Sequence, residues 1–255
     1  MSGKGGVGKS TLAVALAECY ARRDMRTVLL DGDVGLRCAD LMLGMQDRVI
    51  YDLGDLAEKN CTLEQAQVPH PTLPSLSLVA APQMISASDV KRKEMGWIIT
   101  QLSESADVLI LDAPAGIGRG LKNLLGAAAE PVIVATPDDR GLRDAEKLGM
   151  LLSQREEPRP VVVFNRISRL LVMMGEIRTP AEMAASLDMP LMGAIPESSE
   201  VYYALLHHKG ALHCGDRRVV KAIERIAARL LGEDVPQERY KSNFVMRFFA
   251  EGGEA

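Results

Sequence analysis

Cysteine is sparse and unpatterned in this sequence: Cys19, Cys38, Cys61 and Cys214 lie far apart, without CxxC or Cys/His metal spacing. The scatter points away from a disulfide framework or a zinc site and reads as reduced thiols, small core residues of a cytosolic protein. No apolar run approaches the roughly 20 residues that a membrane-spanning helix needs, so any membrane contact is expected to be peripheral. Repeats and low-complexity tracts are missing too. Positive charge is not in excess: the formal net charge is -4, which argues against a general nucleic-acid-binding surface. No Pro/Gly/Ser-rich linker or charge block divides the 255 residues, 47% hydrophobic and 25% charged, so one domain with a full core is expected.

Short apolar runs rich in Val, Ile and Leu recur between longer amphipathic stretches. That alternation predicts an α/β fold, a mostly parallel twisted sheet with helices on both faces. The expected strands are Thr27 to Leu30, Leu76 to Ala80, Val108 to Leu111, Val132 to Ala135, Val161 to Phe164 and Leu191 to Ile195. Helices are expected over Ser10 to Arg23, Asp89 to Glu104, Leu121 to Ala128, Leu142 to Gln154, Pro180 to Leu187, Ser199 to Leu206 and Arg217 to Leu231. The last should be capped by Asp216 and stopped by Gly232. Most strands end in residues suited to chemistry, namely Asp31, Asp112, Thr136, Asn165 and Pro196. In open α/β sheets ligands sit beyond the carboxyl ends of the strands, so function should collect there.

Gly3-Lys4-Gly5-Gly6-Val7-Gly8-Lys9-Ser10 fits GxxxxGK[ST], a loop whose backbone N–H groups point at phosphate oxygens. The glycines allow close approach, Lys9 can reach the outer phosphates, the Ser10 hydroxyl can ligate Mg²⁺, and the helix through Ser10 and Thr11 adds its positive dipole end. Asp31 and Asp33 follow the expected strand Thr27 to Leu30, and Asp112 ends the Val108-Leu109-Ile110-Leu111 run. Mg²⁺ keeps several waters and takes few direct carboxylates, so Asp112 and Asp31 are expected to hold it from the outer shell. Asn165-Arg166-Ile167-Ser168 stands where a guanine-reading site would carry Asn-Lys-x-Asp, and Ser168 cannot supply that carboxylate. Adenine is therefore favoured, with Asn165 and Arg166 near the base and Pro196-Glu197 beside it.

A phosphate loop normally follows a buried strand, yet only Met1 and Ser2 precede this one. Removing about five apolar residues from mid-sheet would cost on the order of 10 kcal/mol. The first strand is thus apparently missing, and the natural chain is expected to start upstream.

Gly3 to Thr11 (GKGGVGKST), Asp31 to Gly44 (DGDVGLRCADLMLG), Val49 to Leu53 (VIYDL), Asp112 to Gly120 (DAPAGIGRG), Thr136-Pro137 with Arg143-Asp144-Ala145, and Gly193 to Glu197 (GAIPE) resemble the MinD branch of the deviant Walker A ATPases. The likeness spans Gly3 to about Leu231, although Cys38-Ala39 stands where the branch usually has Asn-Leu. The phosphate motifs are shared with ParA partition ATPases, the flagellar-number regulator FlhG and nitrogenase iron protein. The resemblance implies a slow, partner-stimulated ATPase over residues 1–235 that needs ATP and Mg²⁺ and acts as a homodimer with ATP between the copies. Lys4 would reach across to the partner's phosphates, and Asp33 would position the attacking water, because Ala113-Pro114 follows Asp112 where many P-loop ATPases place a glutamate. It implies a role at the cell-division site, with a MinC-type inhibitor and a MinE-type or topological-marker activator as partners. FlhG-like flagellar placement and ParA-like DNA segregation are the alternatives; the latter would use Arg217, Arg218, Lys221, Arg225 and Arg229, and no nucleic acid is expected.

Three of the four phenylalanines fall near the carboxyl terminus. On a helix Phe244, Val245, Phe248 and Phe249 share one face, with Asn243 and Arg247 opposite. Residues 236–255 therefore read as an amphipathic tail for an anionic membrane surface, similar to the membrane-targeting tail of that branch, which would make the protein cytoplasmic and peripheral on the inner face of the cell membrane.

Overall fold

The computed structural model describes residues 1–3, 5–33, 37–82, 90–116, 118–125, 130–153 and 159–240. Helix α1 (Lys9–Ala21) leads to strand β1 (Thr27–Asp31), followed by the short helices α2 (Ala39–Met42), α3 (Leu53–Glu58) and α4 (Leu63–Ala66). Strands β2 (Val68–Pro69) and β3 (Leu76–Val79) come next, then α5 (Arg92–Ser105), β4 (Val108–Asp112), α6 (Arg119–Leu125), β5 (Val132–Ala135) and α7 (Asp139–Ser153). The chain closes with β6 (Val161–Ile167), α8 (Arg169–Met174), α9 (Pro180–Ser186), β7 (Leu191–Pro196), α10 (Ser199–Leu206) and α11 (Arg217–Leu230).

The strands form two sheet sections, ordered β2-β3-β1-β4 and β5-β6-β7, parallel except for the short antiparallel pair β2/β3. Helices cover both faces, which is why the strand sequences are apolar without interruption. Ile133, Ala135, Val162 and Phe164 pack with α5, α6 and α7 on one face, while Val134, Val163 and Ile195 pack with α1 and α11 on the other. The anticipated α/β architecture is therefore present, and each predicted strand lies within about two residues of its observed span, apart from the extension of β6 described below. Among the described residues no strand lies between β4 and β5. Met1 sits there instead: its N–H donates to Val132 O at 2.7 Å, its carbonyl accepts from Val134 N at 2.8 Å, and Ser2 O accepts from Gly116 N at 3.0 Å. The opening beside it has a volume of about 410 Å³ and is lined by Leu12, Leu16, Leu109, Leu111 and Val132 among others. Val108–Leu111 of β4 are consequently only half-buried, whereas β1 is buried throughout.

Three boundaries differ from expectation. The helix placed over Asp89 to Glu104 begins at Arg92, with Lys91 N–H bonded to the Glu94 carboxylate at 3.1 Å; Asp89 lies outside the described residues, as do Gly126 to Ala128 of another predicted helix and Gln154 of a third. The helix placed from Leu142 begins already at Asp139. Strand β6 runs past Phe164 to Ile167 through a register shift against β7. At the carboxyl end Asp216 caps α11 by accepting from Arg218 N at 3.0 Å, and Gly232 closes it at φ 82°.

Beyond α11 the chain turns back along β7. Arg229 straps it down, donating to Met192 O at 2.6 Å, Val235 O at 2.8 Å and Pro236 O at 2.7 Å, and Gln237 adds a bond to Leu191 O at 2.6 Å. Tyr240 ends the described chain packed against the core, and burial pushes its phenol up to about 12. Arg229→Met keeps the methylene stem and strips these donors; urea titration should show about 1–3 kcal/mol less stability, and trypsin should reach Arg239 sooner than in the parent protein.

Candidate functional site

The glycine-rich loop lies against the carboxyl ends of the strands and opens directly into α1. Gly8 adopts φ 95°, the left-handed region, and a Cβ there would lie 2.2 Å from Asn165 Nδ2, so both backbone and neighbour demand glycine. Asn165 and Arg166, at the end of β6, hold the loop from outside. The Asn165 amide donates to Val7 O at 2.8 Å, and the Arg166 guanidinium donates to Gly6 O at 2.8 Å. Arg166 itself has φ 58°, and its N–H bonds the Asn165 carboxamide oxygen at 2.9 Å. Gly3 lies against α7, where a Cβ would meet the Asp144 Cβ at 2.7 Å.

Below the loop Lys9 meets the acids. Its ammonium is 2.7 Å from Asp112 Oδ1 and 3.5 Å from Asp33 Oδ2, and donates to Ser10 Oγ at 3.2 Å. Lys9 is 7% exposed and Asp112 1%, whereas Asp33, at 18%, lies nearest the entrance. Asp31 ends β1 beside Asp112, which ends β4 in register with it. Its carboxylate accepts from Asp33 N at 3.0 Å and Ala39 N at 3.2 Å, tying Asp33 and the start of α2 to the strand end. Burial, and then the Asp112 charge, push the Asp31 carboxyl up to about 7, against the pull of those two backbone bonds. Asp112 Oδ2 is buried and has no hydrogen-bond partner among the described residues.

These groups suit an Mg²⁺-nucleotide. An orphaned carboxylate oxygen and a raised neighbouring acid mark a shortage of positive charge. Among the described residues no group of three His, Cys, Asp or Glu side chains could hold a metal ion; Mg²⁺ takes few direct carboxylates and completes its shell with phosphate and water. Ser10, Asp112 and Asp31 are the residues that would hold it.

Lys4, Phe244, Val245, Phe248 and Phe249 lie outside the described residues. Pro196 pairs with Ile167 at the end of β7, and Glu197 N bonds Ile167 O at 3.1 Å, which places both next to the Asn165-Arg166 corner. Sequence reasoning missed the bracing of the loop by Asn165, Arg166 and Asp144; the Arg143-Asp144-Ala145 string was the available signal. It also missed the Arg37–Asp40 pair at 2.6 Å, which sets the entry to α2.

A phosphate loop opening a helix beneath strand-end carboxylates in a parallel sheet defines a P-loop nucleoside triphosphatase. A family profile described as "ParA: NUBPL iron-transfer P-loop NTPase" matches residues 1–231. The septum site-determining protein MinD of Bacillus subtilis is 36% identical over 238 residues, covering 92% of this chain and 88% of that protein. MinD of Synechocystis is 33% identical over 238 residues, covering 92% and 89%. The MinC:MinD cell division protein complex of Aquifex aeolicus matches with a TM-score of 0.86 at 29% identity, covering 94% of this chain and 97% of that one. The MinD of Pyrococcus horikoshii complexed with Mg-ADP shares the fold, with a TM-score of 0.79 at 22% identity over 90% of this chain and 93% of that one. The chain belongs to the MinD/ParA family of P-loop NTPases.

Two measurements follow from the geometry. Gly8→Ala should lower nucleotide affinity at least tenfold in a fluorescent-nucleotide titration, because it strains the loop and pushes Asn165 off Val7. The folded Asp31 carboxyl holds its proton up to about pH 7, while the unfolded one releases it near 3.9. Over that window the unfolded state binds fewer protons, so the stability contributed by protonated Asp31 is lost as pH rises through 7. Without nucleotide, the parent protein should therefore lose up to about 4 kcal/mol relative to Asp31→Asn between pH 4 and pH 7, as read by urea titration.

Proposed function

We propose that the protein is an ATP-driven switch that dimerises around nucleotide, docks on the membrane and takes part in positioning the division site. The observation that carries this reading is the convergence of Lys9 on Asp112, Asp33 and Ser10 beneath the phosphate loop, in a chain 36% identical to a septum site-determining MinD. Without nucleotide, Lys9 neutralises the acids. A triphosphate draws its ammonium onto the outer phosphate oxygens and leaves Asp112, Asp31 and Ser10 as the residues that would hold Mg²⁺. When bound there, Mg²⁺ would supply positive charge to neutralise and orient the phosphates.

Asp33 then positions a water against the terminal phosphorus. The new P–O bond forms as the bond to the bridging oxygen breaks, giving ADP and phosphate. Lys4 of each copy reaches the phosphates held by the other and stabilises the charge on the transferred group. Asn165, Arg166, Pro196 and Glu197 border the adenine. Turnover is slow until a MinE-type or topological-marker activator engages the dimer, and a MinC-type inhibitor is the partner it carries to the membrane.

The tail, residues 236–255, is the membrane foot. One copy gains little after ordering about ten residues at 1–2 kcal/mol each, whereas two tails on one dimer act at high effective concentration. The protein should pellet with anionic liposomes in Mg-ATP and remain in solution in Mg-ADP. Lys4→Ala should still bind nucleotide yet stay monomeric by light scattering with a non-hydrolysable analogue, and should not pellet. A parent protein that stays monomeric with that analogue would overturn the reading.

A further inference from the structure

Beside the strap that follows α11 lies a cavity of about 550 Å³, bounded by α9, β7, α11 and residues 236–240. Its floor is apolar, with Pro180, Leu191, Ala194, Ala222 and Pro236 among the lining residues. Its rim is cationic. Arg225 and Arg239 line it, both exposed, and among the described residues neither has an ion-pair or hydrogen-bond partner. Arg229, behind them, bonds only backbone carbonyls. Its guanidinium is held below the usual arginine range by burial and by the Arg225 charge. Glu238, the carboxylate in the lining, is paired with Arg169 at 3.7 Å. Three guanidiniums thus share a concave surface in which the one lining carboxylate is already engaged.

We propose that this cavity is a subsite for an anionic phospholipid, with the headgroup phosphate between Arg225 and Arg239 and the glycerol and first methylenes over Leu191, Ala194 and Pro236. Charge complementarity selects an anion, and the apolar floor selects an amphiphile over a bare phosphate. Position supports the same occupant: the cavity borders Tyr240, immediately before the amphipathic stretch. A lipid held there would seat the domain on the bilayer at the root of its foot. The inference rests on the membrane-docking reading above and adds to it a contact made by the folded domain.

The test uses the full chain and calorimetric titration with short-chain phosphatidylglycerol below its micelle concentration, short-chain phosphatidylcholine, and inorganic phosphate. Phosphatidylglycerol should bind, the other two far more weakly. Arg225→Gln with Arg239→Gln should weaken it roughly ten- to thirtyfold, the effect of two cations near an anionic surface, at an unchanged melting temperature, and Arg225→Lys with Arg239→Lys should retain most of it. Equal binding by the glutamine variant, equal binding of phosphatidylcholine, or phosphate binding as tight as the lipid would each overturn the subsite. Pelleting with anionic liposomes in Mg-ATP separates the two ideas. If both proteins pellet alike and the short lipid does not bind, the subsite fails and the tail reading stands. If the parent protein binds the short lipid but does not pellet, the reading of the cycle fails and the subsite stands.

Discussion

A single buried ammonium organises the site. Lys9 sits 2.7 Å from Asp112 with both groups almost sealed from water, and taking two such charges out of solvent costs several kcal/mol per ion unless each satisfies the other. Neither residue can therefore be understood alone. Lys9 also cannot satisfy all three acids: Asp112 keeps one oxygen without a partner, and Asp31 answers the deficit by holding its proton to about pH 7. A bare anion entering here would meet acids that Lys9 had just deserted. A phosphate accompanied by a dication would leave every charge matched, and this is the sense in which the site is built for a metal-nucleotide pair.

The loop itself contributes little rigidity, since its glycines cost the most entropy to order. Its shape comes from elsewhere. Asn165 and Arg166 hold two of its carbonyls, Asp144 closes against Gly3, and Ser2 is bonded to Gly116. These braces belong to β6, to α7 and to the turn after β4, so the second sheet section and the loop after the first both bear on one short segment. Nucleotide binding therefore reports on the union of the two sections as much as on the loop.

What could be read in advance follows from the range of the forces. The strands were legible because both faces are covered and their residues are apolar throughout. The phosphate loop and its acids were legible because phosphate chemistry fixes residue types at fixed spacing. The helices α2, α3, α4 and α8 were not, since four to six residues are too few to show a period of 3.6. The caps of α3, α4 and α8 were nonetheless written in Asp52 with Asp55, Thr62 with Gln65, and Ser168. Strand β6 was expected to stop at Phe164, yet it runs on through Asn165 and Arg166, whose side chains bond the loop carbonyls. Partnerships across the chain left no local trace at all: the buried Glu18 meets His213 at 2.7 Å across 195 residues, and Arg229 bonds carbonyls, which no side-chain pattern announces.

Strand β7 ties the two working ends of the molecule together and limits how they can communicate. Leu191, at its start, receives Gln237 from the strap, and Pro196, at its end, lies beside the corner that braces the phosphate loop. Five residue steps of strand separate them, about 17 Å at 3.3 Å per residue. The strand is paired to β6 and packed on α11, and a close-packed core of this kind moves between discrete states rather than stretching. With the strand held on both sides in this way, nucleotide is not expected to change the intrinsic grip of one proposed tail. In the proposed cycle the remaining route is assembly: bringing two copies together would double the tails on the same surface, and doubling alone can raise attachment by orders of magnitude with each tail unchanged. A stiff connection between the site and the strap would then be an advantage for the proposed dimer, because it would fix the position of both straps once the copies had closed.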